Sequence, residues 1–276
     1  MIIGPATLPE FDFAPVENAI IAYGLLLARP VAMLTFTPVF TRVEFTALLR
    51  GAVASALVLP MVPTVLAALQ RDGWSALGLM VLIGKEALIG FALGLVLGAP
   101  FWALDIAGDY LDAQRGATQG RLNDPAGFSD VSITGTLLVM TGVALFVITG
   151  GLETLTDLLY RSWAIWKPLG AFPQLDSRTP DLLLGFLDRI TSQGLMLALP
   201  LIIVMLLAEA GLLIVARRAP HLRVDDLAFA VRNIVFVSFL PIYAVFLISY
   251  IRRDFGTLPG LVDLLRDTAP VQGNRL

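Results

Sequence analysis

Apolar segments that are long enough to cross a membrane dominate this sequence. A span of the bilayer's hydrocarbon core takes about 20 mainly apolar residues. Six segments meet or approach that length: 19–39, 46–69, 77–101, 131–149, 194–216 and 227–250. Hydrophobic residues make up 57% of the chain and charged residues only 15%, whereas soluble domains have about 45–50% and about 25%. The sequence therefore predicts one all-α integral membrane domain over residues 1–276.

The apolar segments also differ from simple membrane anchors. Most contain or adjoin a proline, which removes a helical hydrogen bond and kinks the axis, so we expect kinked or broken hairpins. Ionisable side chains also occur, although each costs about 2.5–3.5 kcal/mol at the centre of a membrane helix. These intramembrane charges are Arg29, Lys85, Asp188, Arg189 and Arg232. We expect most of them to face protein or a watery lumen.

The distribution of basic residues does not fit a simple six-span bundle. Such a bundle should concentrate Lys and Arg in its cytoplasmic loops, but here the basic residues fall almost evenly on the two sides. Two further stretches, 152–166 and 181–193, look amphipathic and are interpreted as interfacial helices or as extensions of spans. Either the span count is wrong or some apolar hairpins do not cross lipid.

A ridge of small residues runs along the third apolar segment. Glu86, Gly90, Gly94 and Gly98 recur every four residues and therefore share one helix face. Glycines at this spacing let a second backbone approach closely, although small residues at this spacing are common in membrane helices. Glu86 on the same face favours a contact with another subunit over a contact with lipid.

An acidic, polar stretch follows the third segment. Asp105, Asp109 and Asp112 are spaced so as to form a stripe on a helix that continues beyond the apolar residues. Gly116 is expected to end that helix. Spacing alone favours a solvated connector here.

The sequence contains none of the common catalytic signatures. It has no phosphate-binding glycine loop, dinucleotide fingerprint, zinc-protease motif or nucleophile elbow. It has no cysteine and a single histidine, His221, so we expect no enzyme, cofactor or metal site. A net charge of −3 without a basic block argues against a nucleic-acid partner.

Three segments together resemble the FliR/SctT family, the export-apparatus subunits of flagella and of type III secretion systems. They are GDYLDAQRGAT at 108–118 followed by Asp124 and Pro125, GLMLALPL at 194–201, and RAPHL at 218–222. The resemblance covers about residues 15–255 and leaves 256–276 as a C-terminal tail. The form of 112–118, together with the basic Arg232, is closer to the injectisome branch than to flagellar FliR.

This resemblance implies a multi-pass inner-membrane subunit of a type III protein secretion export gate, within the bacterial secretion-system basal body. The expected partners are SctR-like and SctS-like subunits (FliP and FliQ homologues), an SctU-like switch protein (FlhB homologue) and secreted polypeptides in transit. Much of such an assembly is raised out of the membrane plane, which would explain the charge distribution. The buried charges and the glycine ridge would then be contacts between subunits.

The resemblance also assigns a role to the polar stretch. The loop after the third apolar segment lies inside the gate in this family and acts as a plug. By position, the plug residues here are Arg115, Gly116, Ala117, Thr118, Gln119, Gly120, Arg121 and Leu122. This assignment replaces the solvated connector.

Three alternatives stay open at this stage. The first is flagellar FliR, in the flagellar export gate. The second is a secondary transporter, which also has broken helices and intramembrane charges, although no internal repeat is visible. The third is a membrane enzyme, for which a catalytic set would be needed.

Overall fold

Helices make up almost all of the chain that the structure, a computed structural model, describes: residues 14–42, 45–71, 74–116, 132–172, 179–218 and 224–268. No β-strand occurs within these ranges. The helices are α1 (Ala14–Phe36), α2 (Pro38–Arg42), α3 (Ala47–Val58), α4 (Val62–Leu69), α5 (Ala76–Arg115), α6 (Ile133–Ile148), α7 (Gly151–Ile165), α8 (Thr179–Ala216) and α9 (Val224–Thr268). The predicted all-α class is confirmed.

Five segments in the described part of the chain are long and apolar enough to cross a membrane. They are Pro15–Phe36, Ala47–Leu69, Ala76–Arg115, Leu184–Ala216 and Leu227–Arg253. A sixth span results if α6 and α7, which are bent by 74° at their junction, count as one. The prediction of about six apolar helical segments with broken hairpins is therefore confirmed, and the fourth segment is one arm of a sharply bent pair.

The long helices extend beyond the predicted apolar segments. α5 has 40 residues and is therefore about 60 Å long, whereas a bilayer with its headgroups is about 40–45 Å thick. The stretch 181–193 is the first part of α8, so it extends a span, and 152–166 matches α7. α9 continues to Thr268, so the predicted C-terminal tail begins inside this helix.

Prolines break the second apolar segment into two helices. A 3₁₀ turn at Leu59–Met61 contains Pro60 and separates α3 from α4. A proline disrupts the hydrogen bonds of the preceding helical turn, and in a membrane the freed carbonyls need donors from neighbouring helices. The hydroxyl of Tyr160 on α7 donates to the carbonyl of Leu57 at 2.8 Å. The break is thus stabilised by α7.

α5 is the central helix, and it contacts α1, α6, α8 and α9. Glycines allow the closest of these approaches. A Cβ atom at Gly108 would overlap the backbone of Gly135 on α6, and one at Gly194 on α8 would lie 3.0 Å from the carbonyl oxygen of Ala103. Both of the polar clusters described next include residues of α5.

Candidate functional site

The first polar cluster, which we call the buried charge cluster, consists of Arg29, Lys85 and Glu86. None of these side chains is more than 1% exposed. Arg29 on α1 meets the Glu86 carboxylate at two points: Nη2 donates to Oε1 at 2.8 Å, and Nε lies 2.8 Å from Oε2. Lys85 Nζ lies 3.4 Å from Glu86 Oε1. One carboxylate is therefore shared by two buried cations.

Backbone carbonyls supply the remaining acceptors for Lys85. Its Nζ donates to the carbonyls of Lys167, Pro168 and Gly170 at 2.9, 2.7 and 3.1 Å. These residues form the turn that follows α7. The carbonyls of this turn thus stabilise the ammonium group of Lys85, which shares the Glu86 carboxylate with Arg29.

Arg29 is held by α7 as well. Nη1 donates to Ser162 Oγ at 2.9 Å, and Nη2 donates to the carbonyl of Trp166, also at 2.9 Å. The indole Nε1 of Trp163 lies 3.4 Å from Glu86 Oε2 as a further donor. The buried charge cluster therefore fastens the bent α6–α7 pair to α1 and α5.

These contacts correct the expectation that the buried charges face other subunits. Arg29 and Lys85 have their partners inside this chain, because the turn after α7 folds back over α5. Asp188 and Arg189 are exposed on α8, and a contact between them and another subunit stays a prediction. Arg232 on α9 is partly buried, and its Nη1 lies 3.8 Å from Glu209 Oε2.

The glycine ridge also faces a helix of the same chain. A Cβ atom at Gly90 would overlap the carbonyl oxygen of Arg29, and one at Gly94 would lie 2.8 Å from the carbonyl oxygen of Met33. At Gly98 a Cβ atom would come within 3.0 Å of the start of α2. The expected contact between subunits is thus corrected to the packing of α5 against α1 and α2, and Glu86 forms its ion pair on the same face.

The second polar cluster lies where the C-terminal end of α5 contacts the N-terminal end of α6. Asp112, which is 1% exposed, accepts hydrogen bonds from Ser132 Oγ at 2.7 Å, from Thr134 N at 3.2 Å and from Thr134 Oγ1. Arg115 Nη2 lies 2.7 Å from Asp112 Oδ1. We call Asp112, Arg115, Ser132 and Thr134 the Asp112 clamp.

Capping residues end α5 and begin α6 next to the Asp112 clamp. Gly116 follows α5 in the left-handed conformation, with φ of 80°, which ends the helix as predicted. Ser132 is the N-cap of α6, and its Oγ accepts from Gly135 N at 2.8 Å. N-capping by serine before an apolar run is a signal that sequence reasoning could have used, although it would not have indicated the contact with Asp112.

α9 packs against the same end of α5. The guanidinium carbon of Arg115 lies 4.7 Å from the ring centre of Phe236. One turn earlier on α9, Arg232 Nη1 donates to the carbonyl of Gln114 at 3.2 Å. The last turn of α5 is therefore held by α6 on one side and by α9 on another.

Of the predicted plug residues, the structure describes Arg115 and Gly116. Ala117, Thr118, Gln119, Gly120, Arg121 and Leu122 lie outside the described residues. Of the acidic stripe, Asp105 pairs with Arg42 and Asp109 is exposed. Among the described residues, no group of three or more His, Asp or Glu side chains is arranged to hold a metal ion.

Comparison with known families identifies where the chain belongs. The family described as Bacterial export proteins, family 1, matches residues 20–258, a range that contains both polar clusters. The chain belongs to this family. The resemblance to the FliR/SctT family is thereby confirmed.

Curated relatives within this family include proteins of type III secretion and of flagella. The chain is 34% identical over 236 residues to the Yop proteins translocation protein T of Yersinia pestis, covering 85% of this chain and 90% of that protein. It is 27% identical over 230 residues to the surface presentation of antigens protein SpaR of Salmonella typhimurium, covering 83% and 84%. It is 29% identical over 185 residues to the flagellar biosynthetic protein FliR of Escherichia coli, covering 66% and 70%.

Proposed function

We propose that this chain is an inner-membrane subunit of a type III protein secretion export gate. Its membership in the bacterial export family and its five to six apolar helices support this proposal. The Yersinia pestis translocation protein aligns with 85% of the chain and flagellar FliR with 66%. This difference in coverage favours the injectisome over the flagellum.

The subunit would assemble with SctR-like and SctS-like subunits and contact an SctU-like switch protein. α8 and α9 leave many large apolar side chains exposed in the single chain, among them Leu207, Ile214 and Val245. Such faces need lipid or other apolar helices to cover them. We assign no catalytic role or cofactor to the chain, so other components would supply the energy for export.

Within the gate, we propose that residues 115–122 form the plug. The Asp112 clamp carries this proposal. It ties the last turn of α5 to the first turn of α6, so the two helix ends on either side of 117–131 are in contact. This contact supports the plug, because a simple connector between two helices would not need its two ends held together.

The test removes the segment while keeping its base. Residues 117–121 are deleted from the full chain, so that Gly116 still ends α5, and the gate is assembled with the rest of the secretion system. We expect assembly to persist and the leak of small ions or of an impermeant dye across the inner membrane to rise. Normal assembly with no added leak would overturn the plug assignment.

A matched control distinguishes the effect of a shorter segment from the effect of losing the side chains of 117–121. In it, residues 117–121 are replaced by the same number of Ser and Gly residues. A plug predicts a leak in the control as well, because its side chains no longer fill the channel, whereas a simple connector predicts no leak.

A further inference from the structure

We propose that the outer face of α7 borders a water-filled space within the thickness of the bilayer, and not lipid. This outer face is defined by Glu153, Asp157 and Arg161, which are exposed at four-residue intervals. The inference goes beyond the proposed function, because it holds for whichever secretion system the chain serves. It gives the chain a polar wall, the kind of surface that a path for water or for a polar polypeptide needs.

The two faces of α7 differ in chemistry. The inner face is buried in the chain and consists of Leu155, Leu158, Leu159, Ser162 and Trp163, besides Gly151 at the start of the helix. On the outer face, Arg161 Nε lies 2.7 Å from Asp157 Oδ2, and about half of each side chain is exposed. A helix with one apolar and one charged face fits the boundary between protein and water.

Contacts at both ends of α7 fix its depth along α5. After the C-terminal end of α7, the turn at 167–170 supplies three carbonyls to Lys85 Nζ. Before the N-terminal end, Phe146 packs against Phe101 of α5, with ring centres 5.6 Å apart. α7 therefore lies between the levels of residues 85 and 101 of α5.

These levels belong to the apolar part of α5. Its exposed apolar side chains begin at Leu77, and Lys85 is eight residues further along, or about 12 Å at 1.5 Å per residue. A hydrocarbon core that begins at Leu77 is about 30 Å thick and extends over about 20 residues. The C-terminal half of α7 thus lies near the middle of this core, and its N-terminal end lies near the far boundary.

Other outer surfaces at this depth are apolar. On α5, the exposed side chains include Val81, Ile83 and Leu88, which lipid tails can cover. Charged side chains such as Asp157 and Arg161 cost about 2.5–3.5 kcal/mol each at the bilayer centre, so they face protein or a water-filled cavity. Lipid is therefore the least favourable neighbour for the outer face of α7.

Water suits the outer face better than the core of a subunit interface does. Interface cores are depleted in charged residues, and burial of an ion pair has a desolvation cost that the pair often does not offset. Asp157 and Arg161 form instead the i, i+4 pair that stabilises an exposed helix. Glu153 lies in the first turn of α7, where the helix dipole favours an acid. These features stabilise the face in water without a partner.

The test uses single cysteines that carry a spin label, because the chain has no cysteine of its own. Asp157→Cys labels the outer face of α7, and Leu88→Cys is the matched control on the exposed apolar side of α5. The full chain is purified in complex with its partner subunits and reconstituted into phosphatidylcholine vesicles. Collisions of each label are then measured with a water-soluble nickel chelate and with molecular oxygen, which concentrates in lipid.

We expect the ratio of nickel-chelate collisions to oxygen collisions to be several-fold higher at position 157 than at position 88. Equal ratios dominated by oxygen would show that lipid covers the outer face, and they would overturn the proposal. Few collisions of either kind at 157 would overturn it as well, since protein would then cover the face. Ratios dominated by the nickel chelate at both positions would show that this level of α5 lies outside the hydrocarbon core, which contradicts the proposed depth.

A second variant controls for loss of the ion pair. Ala164 is exposed on α7 three residues after Arg161, so Ala164→Cys labels the same face and keeps all of its charges. We expect the same high ratio there as at position 157. If only Asp157→Cys shows the high ratio, the substitution has disturbed the helix, and the proposal fails.

Discussion

The hydroxyl of Tyr243 on α9 donates a hydrogen bond of 2.9 Å to the backbone carbonyl of Leu197 on α8. The acceptor lies three residues before Pro200, in the turn whose helical hydrogen bonds the proline disrupts. The hydrogen bond from α7 to the α3–α4 break repeats this arrangement before Pro60. At these two prolines, a tyrosine of a neighbouring helix therefore supplies a donor to a carbonyl of the preceding turn, as a membrane environment favours.

Tyr243→Phe tests this relationship. The substitution keeps the ring, but it removes the only atom that donates to the Leu197 carbonyl across the helix pair. A buried acceptor that loses its donor costs about 1–3 kcal/mol, so we expect a lower free energy of unfolding in detergent. Tyr110→Phe, at an exposed position, is the control and should have little effect. Equal stability of the two variants would contradict the assignment.

Glu86→Gln tests the buried charge cluster. The substitution leaves Arg29 and Lys85 buried beside each other without their shared carboxylate. Removing one member of a buried ion pair costs about 3–5 kcal/mol, so we expect a large loss of folded chain in membranes and of thermal stability in detergent. Glu153→Gln, an exposed glutamate on α7, should behave like the unmodified chain. A stable Glu86→Gln protein would show that the end of α7 alone balances both cations.

Gly94→Leu tests the packing of α5 against α1. A side chain here must push away the backbone at Met33, since even a Cβ atom would lie 2.8 Å from the carbonyl oxygen. Overpacking typically costs about 1–3 kcal/mol, and more where backbone has to move. We expect membrane insertion to persist and the protease resistance of the α1–α5 region to fall.

Gly84→Leu is the matched control on the same helix. A Cβ atom at Gly84 would meet nothing within 4 Å, so this chain's own packing should tolerate the leucine. If Gly94→Leu is as protease-resistant as Gly84→Leu, the close approach of α1 to α5 is wrong.

Purification of the chain by itself tests its need for partners. The buried charges and the glycine ridge are satisfied internally, so any instability should come from the exposed apolar faces of α8 and α9. We expect aggregation when the chain is produced alone and one monodisperse complex when it is produced with SctR-like and SctS-like subunits. Size-exclusion chromatography in detergent measures this, and a monodisperse, thermostable monomer would count against assembly through these faces.

Local sequence features were enough to predict the helices and several of their ends. Segment length and hydropathy indicated the spans, and Gly116 indicated the end of α5. Each of these signals acts within one helix or one turn, so no knowledge of the neighbours was needed. The junction of α6 and α7 carries such a local signal as well, since Gly150 adopts the left-handed conformation with φ of 83°, but a turn signal does not give the 74° angle between the two helices.

The pairing of distant groups depends on how the helices pack in three dimensions. The four-residue period of the glycines marked one face of α5, but a period does not identify the helix that packs on that face. Arg29 and Glu86 are 57 positions apart, and Ser132 lies 20 positions from Asp112. A buried charge must find a partner wherever the fold brings one. Hydropathy and residue spacing therefore showed that charges and glycines in these spans need neighbours, and the packing of α1, α6 and α7 around α5 fixes which neighbours they have.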